Sequence, residues 1–285
     1  MKFKINLKNI FLNLLVLLAA LIIIFPIFWI FLMSLKSSAQ VMEWPPIFIF
    51  EPTLDNYKVL FDISVAGSSN YGTIRINFFE PIFNSVIISG GAVLVSLIIG
   101  IPAGYILARS NFKFKEDIGF FILGFRFAPL ILVIIPMFYF FTILGIKDTY
   151  FGMIWVYQVI TLPMIIWLTR VYVEDIPIEL EEAAFVDGAS VLHVIYKIIL
   201  PLLRPGLVGA SLLVFLLAWH NFALGLLLAS KKAPVTVALL KLLNPGINFY
   251  PVMACGLVIS MIVPILLIFL GQKHFVKGLT FGAVK

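Results

Sequence analysis

Charge is what this chain has least of. Asp, Glu, Lys and Arg make up 12% of its 285 residues, against about 25% in an ordinary soluble domain, while 62% of the residues are hydrophobic. No packed soluble core needs that much apolar surface. Cysteine is nearly absent: Cys255 stands alone, which excludes an internal disulfide and reads as a small apolar residue. His193, His220 and His274 are scattered, with no Cys or His at ligand spacing, so no metal site is expected. A Gly-x-x-x-x-Gly-Lys-Ser/Thr run does not occur, which excludes a phosphate-cradling loop. Internal repeats, low-complexity tracts and period-two alternation are missing too. An enzymatic site is therefore not expected, and no residue is assigned a catalytic role.

What is there is apolar length. A helix needs about 20 apolar residues to cross a hydrocarbon slab of about 30 Å. Six such runs occur, at about 11–33, 82–108, 118–144, 151–173, 201–229 and 251–272. Backbone groups in lipid must be satisfied internally, and without strand alternation these runs predict helices. Pro26, Pro102, Pro129, Pro136, Pro163, Gly225 and Pro264 lie within them and allow kinks. The expected fold is an all-α integral membrane protein, one domain over residues 1–285. Lys2, Lys4 and Lys8 give the first run the start of a secretion signal, but it is too long and Ala19-Ala20 offers no sensible cleavage point. It reads as an uncleaved anchor.

Orientation follows the cations. With the N-terminus inside, twelve Lys and Arg fall on the cytoplasmic side and seven outside, with Arg126 left in a span. Lys231-Lys232 works against the bias. Six spans place both termini in the cytoplasm. The net charge of +6 then reads as topology and contact with anionic lipid, not nucleic-acid binding. Residues 34–81, with Pro45-Pro46, Pro52 and Gly67-Ser68-Ser69-Asn70, form the long outer segment.

One polar island interrupts the pattern at about 174–200. Pro177 suits a first helical position, and Glu179, Glu181 and Glu182 sit where acids complement a helix dipole. Ala183 and Ala184 are small enough for a partner surface to approach. Gly188 permits a sharp bend, with Asp187 or Ser190 placed to cap a second helix. In that helix Val191, Leu192, Val194, Ile195, Ile198 and Ile199 are read as one apolar face before Pro201. The prediction is a helix-turn-helix at the membrane surface. By periodicity alone an ordinary solvated loop is equally compatible.

Glu182-Ala183-Ala184, then Gly188, then Ile198 and Leu200-Pro201, resembles the cytoplasmic loop of permease subunits of binding-protein-dependent ABC importers. The resemblance narrows to carbohydrate importers, the second permease of maltose-type systems. It does so through Ser34-Leu35-Lys36, Pro52-Thr53-Leu54-Asp55-Asn56-Tyr57, Leu144-Gly145-Ile146 with Thr149, Ile176-Pro177-Ile178-Glu179, and the tail Phe275 to Lys285. Trp219-His220-Asn221-Phe222 departs from the family's usual Trp-Asn-Glu-Phe, and a terminal Gly is missing after Lys285. The resemblance implies a type I importer permease fold that moves a sugar, polyol or glycoside through a heterodimeric pore. A second permease subunit, two cytoplasmic ATPases and an extracytoplasmic solute-binding protein complete it. ATP and Mg belong to the ATPase, and this chain binds no cofactor. Coupling to the ATPase would rest on Glu181, Glu182, Ala183, Ala184, Asp187, Gly188, Ala189, Ile198, Leu200 and Pro201. Tail contact would rest on Gly278, Phe281, Gly282 and Lys285, with hinges at Gly278 and Gly282.

Polar residues within spans are functional candidates by default. Arg126, Asn84, Gln158 and Asn221 are the substrate-path candidates, each equally readable as interhelical glue, as is Ser85. Tyr139, Trp167 and Trp219 are candidates for stacking on sugar rings. Two other readings stay open. An ABC permease for amino acids, peptides, ions or sugar phosphates would share the loop but generally lacks the tail. A secondary transporter would need intramembrane acids, and the spans carry essentially none.

Overall fold

Long helices without a polar face dominate the architecture. The structure, a computed structural model, describes residues 7–61, 77–127, 129–243 and 250–280. Among these residues every regular element is helical. In chain order the α-helices are α1 Leu7–Ser34, α2 Ser38–Met42, α3 Asp55–Leu60, α4 Phe79–Arg109, α5 Lys115–Gly124, α6 Leu130–Ile143 and α7 Tyr150–Val156. They continue as α8 Gln158–Glu174, α9 Glu179–Val186, α10 Val191–His193, α11 Leu200–Trp219, α12 Ala223–Leu228, α13 Val235–Lys241 and α14 Tyr250–Thr280.

Four helices are long and apolar enough to cross a membrane: Lys8–Ser34, Phe79–Arg109, Val191–Trp219 and Tyr250–Lys273. Two bent pairs raise the number to six. Lys115–Phe127 and Leu132–Ile143 meet at 89°, with Pro129 between them to deny a backbone donor. Tyr150–Val156 and Gln158–Glu174 meet at 50°. There the Gln158 carboxamide donates to the Ile154 carbonyl at 2.9 Å, a side chain inserted into the helical ladder.

Three sequence expectations shift. The run at 118–144 is two helices joined by a 3₁₀ turn at Phe125–Phe127, not one. The run at 201–229 ends early, at Trp219, and begins early, because α10 and a π-helical turn at Val194–Ile199 lead into α11 without a gap. Pro201 accounts for that turn: it cannot donate to the Lys197 carbonyl and its ring crowds it, so the preceding turn widens. Finally, α14 runs unbroken through Gly278 to Thr280, so Gly278 is helical and not a hinge. Phe281, Gly282 and Lys285 lie outside the described residues.

Packing groups the chain into two compact units: Met1–Phe78 with Leu239–Met261, and Phe79–Ala238 with Ile262–Lys285. In the first unit the end of α1 is fastened to the α3 region. Asn56, buried, donates its amide to the carbonyls of Ser34 (2.9 Å) and Lys36 (2.8 Å). Ser34 Oγ meets the Tyr57 hydroxyl at 2.7 Å, and Cys255 Sγ donates to the Ser34 carbonyl at 3.3 Å. Lys36 is buried, its Nζ on the Ile47 carbonyl at 2.6 Å and 4.6 Å from the Trp29 ring centre. Burial pushes its ammonium below the usual range, partly offset by Glu43.

The second unit is built on α4 against α8. Glycine lets the two backbones close. A Cβ on Gly104 would lie 2.7 Å from the Ile166 carbonyl and from Thr169 Cβ, and one on Gly100 would lie 2.7 Å from Ile165 Cγ2. Ile88, Ala92, Ile134, Met153, Val156, Tyr157, Leu224 and Leu228 form one buried cluster beside this contact. Both ends of α4 carry polar residues, and the candidate site begins at one of them.

Candidate functional site

Helix α9 presents two faces with different chemistry. Glu181 turns inward and is 2% exposed. Its Oε2 accepts from the Tyr105 hydroxyl at 2.6 Å and its Oε1 from Arg109 Nε at 2.7 Å. The same Arg109 donates through NH2 to the Ile176 carbonyl at 2.6 Å. Glu182, Ala183, Phe185 and Val186 face outward, Val186 being 87% exposed. Glu181, grouped from sequence with the docking residues, is therefore held inside the chain.

The turn after α9 forms as its glycine requires. Gly188 has φ +84°, where a side chain would be strained. Its N–H donates to the Phe185 carbonyl at 3.0 Å, and the Ala189 N–H to the Ala184 carbonyl at 2.9 Å. Ser190 rather than Asp187 caps the next helix, its Oγ accepting from the His193 N–H at 3.3 Å. The apolar face read from sequence divides: Val194, Ile195 and Ile199 are buried, while Val191 and Leu192 stay exposed. Ala184, Ala189, Ile198 and Leu200 are half-buried, and Asp187, Gly188 and Pro201 are exposed. Phe185, Val186 and Leu192 are thus exposed apolar residues of this loop, with Glu182 and Asp187 exposed near them in sequence.

A second set of ion pairs gathers the ends of α5 and α8. Arg170 NH2 lies 2.6 Å and 2.8 Å from the two Glu116 oxygens, and its Nε lies 2.8 Å from Glu174 Oε1. Gly119 leaves room for it, since a Cβ there would lie 2.8 Å from the guanidinium. Trp167, half-buried, has the Arg170 guanidinium 5.7 Å from its ring centre.

Most substrate-path candidates have their polar groups engaged within the chain. Asn84, buried, donates to the Ala233 carbonyl at 3.1 Å and accepts from the Tyr150 hydroxyl at 2.6 Å. Ser85 Oγ accepts from the Val235 N–H at 2.7 Å. Gln158 accepts from Ser96 at 2.7 Å and donates to the carbonyls of Ala92 and Ile154. Asn221 accepts from the Leu224 N–H at 3.0 Å, starting α12 after the break that ends α11. Trp219 is buried and stacked on Phe215 with 5.6 Å between ring centres, which corrects its reading as a sugar platform. Tyr139 and Arg126 remain exposed, and Arg126 contacts Met164 Sδ at 2.8 Å. It stands on the 3₁₀ turn at the 89° bend.

Sequence reasoning missed Asp148. It takes a positive φ of 60° and accepts from the N–H groups of Ser230, Lys231 and Lys232 at 2.8 to 2.9 Å. Burial pushes its carboxyl up, but those donors and the Lys231 ammonium outweigh this and hold it below its usual 3.8. Tyr105 and Arg109 were missed as partners of Glu181 because each is unremarkable in its own run.

Four long apolar helices, two bent pairs that raise the number of spans to six, and a two-helix surface loop describe a membrane-embedded subunit. Comparison with known proteins gives the same answer. Residues 100–281 match the model of the binding-protein-dependent transport system inner membrane component family, and the chain belongs to that family. It is 34% identical over 284 residues to the trehalose/maltose transport system permease protein of Thermococcus litoralis, covering 98% of each chain. It is 31% identical over 272 residues to the arabinooligosaccharides transport system permease protein of Bacillus subtilis, covering 93% and 92%. Among solved structures, a bacterial ABC transporter that imports the acidic polysaccharide alginate superposes with a TM-score of 0.75 at 25% identity, over 96% of this chain and 99% of that one. The chain is a multi-pass inner-membrane permease of the type I importer fold.

Proposed function

We propose that this permease conducts a sugar or a related polyol or glycoside, as one half of a heterodimeric pore driven by two copies of a separate ATPase. The observation that carries the docking role is the outward face of α9 and α10. Phe185, Val186 and Leu192 are exposed at 41%, 87% and 63% on a loop whose inward residues are packed, which leaves an apolar surface that needs a partner. Saccharide cargo is supported by the full-length similarity to permeases named for trehalose, maltose and arabinooligosaccharides. ATP and Mg are bound by the ATPase, an extracytoplasmic binding protein delivers the solute, and both termini lie in the cytoplasm.

The test is reconstitution of the chain with its sister permease, ATPase and binding protein, assayed for ATP hydrolysis against a panel of sugars and amino acids. Stimulation by a saccharide is expected, and stimulation by amino acids alone defeats the cargo assignment. Gly188→Pro and Glu182→Lys each uncouple transport while the subunit stays in the membrane; normal uptake with normal ATPase co-purification in both removes the docking role. Arg126, the one path candidate left exposed and hydrogen-bonded among the described residues only to the Met164 thioether, contacts solute on this reading. Arg126→Ala then lowers uptake with assembly intact. The tail at Gly278, Phe281, Gly282 and Lys285 reaches the ATPase, so deleting residues 281–285 lowers transport-coupled hydrolysis without preventing insertion.

A further inference from the structure

We infer that Tyr105, Arg109 and Glu181 form the joint through which movement of the coupling loop is delivered to α4, with Glu181 a positioning residue rather than a docking contact. The inference rests on the loop's proposed role as the ATPase contact.

Helix α9 has eight residues, too few to hold its shape by backbone bonding alone. Whatever pushes its outer face must act through the contacts on its inner one. Helix α9 packs on the π-helical turn, but its inward side-chain hydrogen bonds and ion pair converge on a single helix. Tyr105 and Arg109 are four residues apart and so lie on one face of α4. Between them they occupy both oxygens of Glu181, at 2.6 Å and 2.7 Å. With that carboxylate 2% exposed, no oxygen is left for a partner surface. Arg109 also grips the Ile176 carbonyl at 2.6 Å. One guanidinium thus spans the link between α8 and α9 and α9 itself, and its planar fork fixes their relative position.

The far side of the joint is stiff. Gly100 and Gly104 set α4 so close to α8 that a methyl group at either position would meet Ile165, Ile166 or Thr169 at 2.7 Å. A push on α9 therefore moves the end of α4, and α8 goes with it. Apart from the joint, α9 is tied to the rest of the unit by the short link 175–178 on one side and by its packing on the π-helical turn on the other. Glu182, the next residue, points outward and has no place in this network. Adjacent glutamates thus take opposite tasks, one carrying load and one meeting the partner.

The experiment uses the full complex in lipid, with Cys255→Ser as background and spin labels on Phe112→Cys and Leu180→Cys. Phe112 lies just beyond α4 and Leu180 on α9, and both are exposed. Label separation is measured by pulsed electron resonance in the nucleotide-free state and after trapping with ATP and vanadate. With the joint intact the separation stays the same in both states. In Glu181→Gln and in Arg109→Gln it shifts on trapping by about 2 Å or more, the scale of helix displacements in switching proteins. The ATPase still co-purifies, and the double variant behaves like either single one. Tyr105→Phe removes one hydroxyl without changing shape and gives a smaller shift in the same direction, which covers failure of the charge variants to insert. The joint is overturned by a separation that changes on trapping in the unaltered chain, or by one that stays fixed in all three variants. It is equally overturned if Glu181→Gln alone sheds the ATPase. A complex whose unaltered chain never binds the ATPase overturns the docking role and the joint together.

Discussion

Helix α4 is held at both ends, and the two ends are held differently. Near Phe79 the hydrogen bonds are neutral and two of them meet backbone: Asn84 on the Ala233 carbonyl, Ser85 beneath the Val235 N–H, and Tyr150 bonded to the Asn84 side chain, with the Lys232 ammonium 4.7 Å from the Tyr150 ring centre. Near Arg109 the contacts are ionic, with Arg109 on Glu181 and, at the neighbouring ends of α5 and α8, Arg170 on Glu116 and Glu174. Amides and hydroxyls bonded to backbone in a buried site fix one geometry and are costly to leave unmade. An ion pair is longer-ranged and survives small displacements of its partners. The first arrangement suits a loop that should stay put, the second a loop that is pushed.

The comparison breaks most severely at Arg109. Arg109→Ala leaves a carboxylate that is 2% exposed with, among the described residues, only the Tyr105 hydroxyl bonded to it. Stranding a buried charge costs about 3 kcal/mol or more. We expect a lower thermal midpoint of the solubilised complex and early proteolysis near residues 176–186, read by limited trypsin digestion and mass spectrometry. Asn84→Ala, at the other end, should leave that cleavage pattern unaltered.

Close packing gives the next largest effect. Gly104→Leu must displace the Ile166 backbone, for a cost of about 2 to 3 kcal/mol, whereas Gly90 has nothing within 4 Å of an added Cβ. Gly90→Leu should therefore be near neutral in the same melting assay. Equal effects at the two positions would mean that α4 and α8 are not in the contact described.

These contrasts also mark how far the sequence could be read. Six apolar runs and a bent polar loop were legible because they are local: hydrophobic length, and a glycine whose φ is indeed positive. Ser34-Leu35-Lys36 and Asn56-Tyr57 were legible only as family marks. The structure supplies their cause, because Asn56 ties off the carbonyls at the end of α1. Hidden in sequence were the pairings across distance. Nothing in the run around Tyr105 announces a partner 76 residues away, and three glutamates within residues 179–182 do not reveal that one faces inward. The limits of α11 were hidden for another reason: hydropathy continues through 220–229 while the backbone breaks at His220, where Asn221 starts a new helix.

At the neutral end, Asn84→Ala leaves the Tyr150 hydroxyl and the Ala233 carbonyl without their shared partner. A cost of about 1 to 2 kcal/mol is expected for such unpaired buried groups. Loosening should be confined to residues 230–237, seen as faster amide exchange there while residues 176–186 keep wild-type protection. Exchange that rises at both ends would show that α4 transmits disturbance along its whole length, and that the two ends are not independent.

Asp148 should give the smallest effect and the clearest dependence on pH. It draws three successive N–H groups of the 230–232 segment into a small anion-binding concavity, beside the two lysines that ran against the charge bias of the sequence. Asp148→Asn removes the charge but keeps one acceptor, for a loss of about 1 kcal/mol. Because the folded carboxyl titrates below its usual 3.8, its contribution is fully present above that value. It fades only as the pH falls beneath 3.8 and through the lower folded one. The difference in melting temperature between wild type and Asp148→Asn should therefore be constant from pH 8 to pH 5 and shrink below about pH 4. A difference that already closes between pH 7 and pH 5 would mean that this carboxyl is not held down by the 230–232 backbone.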